Sequence, residues 1–183
     1  MNNKITFIIL SSLISLSIYA KNEITSNTSS YTTIEQKDCR TLDSDGVGSI
    51  QACEPFEDIT VKVIEGDLRQ SIILTREGKE YNLNFWSIIS PMFSYLGNKI
   101  EWRHELEKPK NLKGMIVRFE ASDNFDNLDK HSSYLVVSKI TKDNMCVVAK
   151  VAPSEEQNKV ARKILDSNKS LPCLKEFDAN QTK

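Results

Sequence analysis

Apolar and polar residues alternate along most of the chain, and short polar turns separate the alternating stretches. Side chains on a β-strand point to opposite faces in turn, so this alternation predicts strands with one buried face. Many short strands joined by polar turns predict a mainly antiparallel fold: a sheet, a sandwich or a partly closed barrel. The stretches are ITVKVIE (59–65), RQSIILTR (69–76), KEYNLNF (79–85), KIEWRHEL (99–106), GMIVRFEA (114–121), SYLVVSKI (133–140) and MCVVAKV (145–151).

Only the stretch from Glu155 to about Ser167 has a clear helical period. Ser154 precedes it as an N-cap, and Gln157 stands three residues later, as in a capping box. An apolar stripe along the helix predicts that it packs on the sheet, which makes the fold class α+β with one C-terminal amphipathic helix. The stripe consists of Val160, Ala161, Ile164 and Leu165.

A second, shorter helix is predicted in SIISPMFSYLG (87–97). Ser90 suits the N-cap, Pro91 the first helical position and Gly97 the exit from the helix. The segment is unusually apolar for a connection, which leaves two interpretations. It either plugs one end of the sheet or presents an exposed interaction patch. The candidate patch consists of Met92, Phe93, Tyr95 and Leu96.

The first 20 residues have the pattern of a secretory signal peptide: Lys4, an apolar run over 5–18, and Ala20 at the end. The run is shorter than the roughly 18 apolar residues of a membrane span and contains four serines. We therefore expect a periplasmic or secreted bacterial protein with no stable transmembrane span after cleavage. The predicted organisation is a signal peptide (1–20), a flexible lead-in (21–30), a single β-rich domain (31–174) and a polar tail (175–183).

The chain has four cysteines, and none of them forms a CxxC motif. In an exported protein an even number of cysteines predicts disulfides, here with three possible connectivities. We favour Cys39–Cys53 and Cys146–Cys173, because each pair closes a local loop. A zinc site built from all four thiolates is the alternative, but the short ligand spacings typical of such sites are absent.

Charge and motif content exclude several function classes. The formal net charge of −1 argues against a nucleic-acid binder that relies on broad phosphate neutralisation. The sequence has no phosphate-binding glycine loop, so no cofactor is predicted, and no metal site is favoured. Two acidic groups are candidate cation sites. A disulfide-closed turn is the simpler interpretation of the first group, and a solvated loop is the simpler interpretation of the second. These groups are Asp43, Asp45, Gly48 and Glu54, and Asp123, Asp126 and Asp129.

The two histidines are the candidate chemical groups. His104 alternates with Trp102 on a predicted strand, and His131 lies beside the Asp-rich loop. No nucleophile motif accompanies either one, so a packed or surface histidine is the favoured interpretation of both. Glu101, Arg103 and Glu105 share the opposite face of that strand, which predicts a solvated charged face, with a recognition surface as the alternative.

Several segments together resemble a family of small, uncharacterised bacterial proteins that carry signal peptides. They are EGDLR (65–69), LGNKIEWR (96–103), YLVVSKI (134–140) and CVVAKV (146–151), and the resemblance spans about Tyr31 to Cys173. It implies export and two cysteine pairs, but no activity or catalytic residue. Because the sequence has no nucleophile, metal or nucleotide signature and a rigid strand scaffold can present binding loops, we predict a non-enzymatic binding module of the cell envelope. Its ligand is an envelope protein, a glycan or a small molecule. The alternative is a secreted hydrolase that uses His104 or His131 with carboxylates brought together by the fold.

Overall fold

The structure is a computed structural model that describes residues 26–124, 127–128, 130–167 and 169–176. Most of the described chain is β-strand, as the alternation predicts. The strands are β1 (Asn27–Thr33), β2 (Arg40–Ser44), β3 (Gly48–Phe56), β4 (Ile59–Gly66), β5 (Arg69–Arg76), β6 (Lys79–Asn82), β7 (Ser94–Glu105), β8 (Lys108–Ser122), β9 (His131–Ile140) and β10 (Met145–Val151), and the helices are α1 (Phe85–Ile88) and α2 (Gln157–Asp166).

The strands form one sheet in the order β10-β9-β8-β7-β5-β4-β3-β2, with β1 paired to β7 and β6 paired to β5. Neighbouring strands are antiparallel except β5 and β7, which meet in parallel at Arg69 and Ser94. The sheet does not close into a barrel. The predicted class, a mainly antiparallel β fold with a C-terminal helix and two disulfides, is confirmed.

One apolar cluster contains the inward residues of both halves of the sheet, which therefore packs on itself around a single core. Val61 on β4 and Leu74 on β5 are inward positions of one half, and Trp102 on β7 and Phe119 on β8 belong to the other. All four side chains are almost completely buried. Burial of this much apolar surface is the main favourable term in folding such a domain.

Helix α2 packs on the opposite face of β8 and β9, where Ala161 and Leu165 join Ile116 and Val137 in a second apolar cluster. The helix begins at Gln157 rather than at Glu155, and no side-chain cap forms. The side-chain amide of Gln157 instead donates, through Nε2, to the backbone carbonyls of Ser133 (2.8 Å) and Val151 (3.0 Å). Gln157 therefore anchors the start of the helix to the sheet, and the predicted capping box is wrong.

The second predicted helix is also wrong. Residues 94–97, the last part of that predicted helix, belong to strand β7, where Ser94 pairs with Ala121 and Leu96 with Phe119. A helical turn does form, but earlier, over Phe85–Ile88. The long antiparallel pairing with β8 satisfies the backbone of this segment, and this outweighs the local Ser-Pro-Gly signals.

The lead-in prediction also needs correction, because residues 27–30 form the first half of β1. Their Ser/Thr/Asn composition shows no apolar alternation, yet their backbone pairs with β7 from Asn27 opposite Glu105. The strand forms because its hydroxyls meet buried polar groups of β7. Ser29 donates to Glu101 (2.6 Å), and Thr32 accepts from the Trp102 indole (2.9 Å).

Both predicted disulfides are present, Cys39–Cys53 and Cys146–Cys173. The first joins Cys39, which immediately precedes β2, to β3, and the second ties the segment after α2 to β10. No helix among the described residues is long and apolar enough to cross a membrane. The predicted signal peptide and most of the predicted tail lie outside the described residues.

Candidate functional site

Three chain segments meet at one end of the sheet and expose apolar side chains there. They are the β2–β3 turn, the β4–β5 turn and the start of β7. The Asp67 amide donates to the Val47 carbonyl (3.2 Å), and the Ser94 amide donates to the Leu68 carbonyl (2.9 Å). Val47 is 71% exposed, Leu68 64% and Tyr95 50%. We call Val47, Leu68, Phe93 and Tyr95 the turn-end surface.

A groove of about 640 Å³ begins at the turn-end surface and runs over the outer face of β3, β4 and β5. Its apolar floor consists of residues that alternate with the core positions on the same strands. Ile50 pairs directly with Ile64, and Ile73 lies on the same outer face of β5. Trp86 of α1 completes the lining. All four side chains are partly exposed, which is unusual for such large apolar groups lying side by side.

Carboxylates surround this apolar floor at the turn end. Arg69 lies 2.7 Å from Asp67 and neutralises it, so three carboxylates are left without a cationic partner within 4 Å among the described residues. Hydrogen bonds from the backbone amides of Val47 and Gly48 lower the pKa of Asp45, which therefore stays ionised. The rim is negatively charged. The three carboxylates are Asp43, Asp45 and Glu65.

A smaller cavity of about 230 Å³ adjoins the groove and is lined by Leu68, Phe93, Tyr95 and His131. The His131 ring lies against Tyr95, with 5.6 Å between centroids. Two residues of the predicted patch, Phe93 and Tyr95, are therefore part of the turn-end surface. Leu96 is not, because strand geometry turns it to the opposite face and into the core, where it is 9% exposed. Met92 is partly buried.

Among the residues described here, no group of three or more His, Cys, Asp or Glu side chains is placed to hold a metal ion. Asp45 lies in the turn before β3, whereas Glu54 lies near the far end of that strand and accepts the Thr33 amide (3.2 Å). Asp123 accepts from Ser132 and pairs with Lys130 at 3.5 Å. Asp126 and Asp129 lie outside the described residues.

His104 is buried between β1 and the core. Its Nε2 lies 2.9 Å from the Ser30 hydroxyl, its Nδ1 lies 2.8 Å from the Glu105 carbonyl, and Phe56 packs beside the ring. Within the described part of the chain, neither ring nitrogen has a carboxylate partner. These contacts are those of a packed histidine whose polar atoms are satisfied.

Two residues of the charged face of β7, Glu101 and Arg103, are not solvated, because they pair with side chains of α2. Glu101 accepts from Arg162 Nε at 2.6 Å and is only 7% exposed. Arg103 forms a bidentate pair with Asp166, at 2.8 and 2.6 Å. Glu101 and Arg103 therefore hold α2 on the sheet, and the prediction of a solvated face is wrong for both. Glu105 instead pairs with Lys113 of β8, at 3.4 Å.

Sequence reasoning missed the floor of the groove. A signal was present, because Ile64 stands where the alternation of ITVKVIE calls for a polar residue, and Ile73 lies in the unbroken run SIIL. Apolar residues in the polar phase of a strand indicate a second covered or binding face. No protein-family model matches this chain, and no significant match was found among curated proteins or solved structures.

Proposed function

We propose that this chain is an exported, non-enzymatic binding module of the bacterial cell envelope, and that its ligand is an amphipathic polypeptide segment with basic and apolar side chains. The proposed site is the turn-end surface together with the adjoining groove. Export rests on the N-terminal sequence pattern and on the resemblance to small exported proteins, and the two disulfides are compatible with it.

The observation that carries the proposal is the combination, at one end of the sheet, of exposed apolar groups and carboxylates that have no cationic partner within 4 Å among the described residues. Val47, Asp43 and Asp45 border the apolar floor, and Leu68 lies at the neighbouring turn tip, in the lining of the adjoining smaller cavity. Apolar contacts supply most of the binding free energy of such sites, whereas complementary charge selects the partner and speeds association. A basic amphipathic segment matches both features.

The test is selection of random displayed peptides on the immobilised chain beginning at Lys21. We expect the enriched peptides to combine Lys or Arg with aliphatic or aromatic residues, and to bind more weakly as salt is raised. Leu68→Ser and Tyr95→Ser should each weaken the affinity of a selected peptide about tenfold, because each removes an apolar contact residue.

Val160→Ser is the matched control, because Val160 is a 43% exposed apolar residue on α2, away from the groove. Its affinity for the same peptide should equal that of the unchanged chain. Failure to enrich any basic amphipathic peptide would contradict the proposal, and so would equal losses in the control and in the Leu68 variant.

The hydrolase alternative has one geometric observation in its favour, the 2.9 Å contact between Ser30 and His104. A hydroxyl and an imidazole at this distance form a nucleophile–base pair where substrate has access to them. Here Ser30 belongs to β1 and Phe56 packs beside the His104 ring, so a substrate must displace Phe56 while β1 stays in place. Ester hydrolysis that is abolished in Ser30→Ala at unchanged stability would favour this second function over the first.

A further inference from the structure

A separate cleft lies between α2 and the sheet, on the face opposite the core. Its volume is about 250 Å³, and its floor is formed by the buried side chains of Ile116 and Leu135. Tyr31 of β1 forms one wall and is 51% exposed. The cleft is distinct from the groove and shares no lining residue with it.

Three basic side chains from three different elements line this cleft: Lys99 of β7, Arg118 of β8 and Arg162 of α2. The single carboxylate in the lining, Glu101, is already occupied by Arg162, at 2.6 and 3.0 Å. Neither Lys99 nor Arg118 lies within 4 Å of a carboxylate in the described part of the chain. The cleft therefore carries an excess of two positive charges.

Arg118 is held in the cleft by its neighbours. Its Nη1 donates to the Ser133 hydroxyl (2.5 Å) and, at 3.4 Å, to the Gln157 side chain. Gly97 on β7 lets the stem of Arg118 lie close, because a Cβ at Gly97 would come within 2.9 Å of Arg118 Cβ. A partly buried guanidinium fixed by neutral partners is preorganised for an anion, since its orientation need not be established on binding.

We infer that this cleft binds a tetrahedral oxyanion, a phosphate or sulfate group, between Lys99, Arg118 and Arg162. Such a group accepts hydrogen bonds in several directions, which suits donors that come from three separate elements. A carboxylate has only two oxygens and suits one bidentate guanidinium, the arrangement that Glu101 and Arg162 already form. The apolar floor and Tyr31 leave room for a small organic group attached to the oxyanion.

The experiment titrates inorganic phosphate, and in a second arm inorganic sulfate, into the chain beginning at Lys21 at low ionic strength. Binding is followed by calorimetry and by backbone amide chemical shifts. We expect saturable binding, with shift changes centred on 99–101, 116–118 and 158–162. Lys99→Gln and Arg118→Gln should each weaken binding about tenfold, because each removes a charged donor. The arm with the tighter binding identifies the preferred oxyanion.

Lys163→Gln is the matched control, since it removes the same charge one position from Arg162, from an exposed side chain outside the cleft lining. Its affinity should remain unchanged. Absence of saturable binding of both ions overturns the inference, and an equal loss in Lys163→Gln does so as well, because it shows general surface attraction. Lys99 is exposed, so its variant tests the site even if Arg118→Gln does not fold.

Discussion

Leu68 has an unfavourable backbone conformation for its side chain. Asp67 (φ 53°) and Leu68 (φ 57°) are consecutive left-handed residues in the β4–β5 turn. Turns of this kind favour Asn-Gly or Asp-Gly, because a bulky side chain in this region is strained. The corresponding β5–β6 turn follows the rule and has Gly78 at its second position. A strained leucine that is also exposed contributes little to the fold, which is why we assign it to binding.

We expect Leu68→Asn to raise the free energy of unfolding by about 1 kcal/mol, because Asn tolerates the left-handed region, and at the same time to weaken peptide binding. Urea unfolding and peptide titration measure the two effects. Glu77→Asn is the control, since Glu77 (φ 51°) has a similar conformation in a turn outside the site. It should change stability without changing affinity. A Leu68 variant that loses stability would refute the assignment of strain.

Glu101 couples stability to pH. Burial raises the pKa of its carboxyl, but hydrogen bonds from Arg162 and Ser29 and the charge of Arg103 outweigh this effect, so the pKa is lower than that of an ordinary glutamate. The ionised carboxylate therefore stabilises the folded chain fully above the ordinary glutamate pKa. This stabilisation is lost as pH falls through the lowered pKa of the folded state.

We expect Glu101→Gln to lower the free energy of unfolding by roughly 2 kcal/mol at neutral pH, because charged hydrogen bonds to Arg162 are lost. The difference from the unchanged chain should shrink as pH is lowered below the ordinary glutamate pKa, since protonation removes the same charge from Glu101. Denaturant unfolding at a series of pH values measures this. A difference that does not depend on pH would mean that the carboxylate acts by packing alone.

The approach of α2 to the sheet depends on Gly114 of β8. A Cβ at this position would overlap the carbonyl of Ser138 on β9 and come within 2.6 Å of the Leu165 side chain. We expect Gly114→Ala to lower the free energy of unfolding by about 2 kcal/mol, because Leu165 and the strand must both shift. Gly66→Ala is the control, since a Cβ there meets no atom within 4 Å. Urea unfolding measures the stability of both variants. Equal free energies of unfolding for Gly114→Ala and Gly66→Ala would contradict the proposed contact.

The sequence predicts well those elements in which the buried side chains follow a regular apolar pattern along the chain. The stripe of α2 includes Ala161 and Leu165, which pack as predicted, and MCVVAKV coincides with β10. Strand β1 shows the opposite case, because nothing in NTSSYTT indicates that Ser29 and Thr32 hydrogen-bond to β7. Partners of this kind lie about 70 residues away in the chain, and local patterns contain no information about them.

In the candidate site, too, the residues with a local apolar signal are predictable, and those brought together by strand pairing are not. The sequence predicts Phe93 and Tyr95 as interaction residues because they are apolar and lie in a connecting segment. The groove floor does not, because Ile50 and Ile73 belong to different strands and become neighbours of Ile64 only through strand pairing. Strand pairing also decides that Tyr95 is exposed while Leu96 is buried. A helical assignment places both on the same apolar surface, so the error in the element became an error in the site.

At the scale of the whole molecule, β1 completes the structure on both of its faces. Toward the core, Thr32 accepts from Trp102 and Ser30 contacts His104. Toward α2, Ser29 donates to Glu101 and Tyr31 forms a wall of the basic cleft. Signal cleavage after Ala20 would leave all of β1, which begins at Asn27, in the mature chain. The proposed processing site is therefore compatible with the fold.

We expect a chain beginning at Lys21 to unfold cooperatively, and a chain beginning at Ile34 to lose fixed tertiary structure and aggregate. Without β1, the Trp102 indole and the Glu101 carboxylate lose hydrogen-bond partners, and one edge of β7 is left unpaired. Near-ultraviolet circular dichroism and urea unfolding distinguish the two chains. A chain from Lys21 to Glu176 is the control for truncation as such. Should the mass of the native protein place its N-terminus inside β1, both the proposed cleavage site and this role of β1 would be wrong.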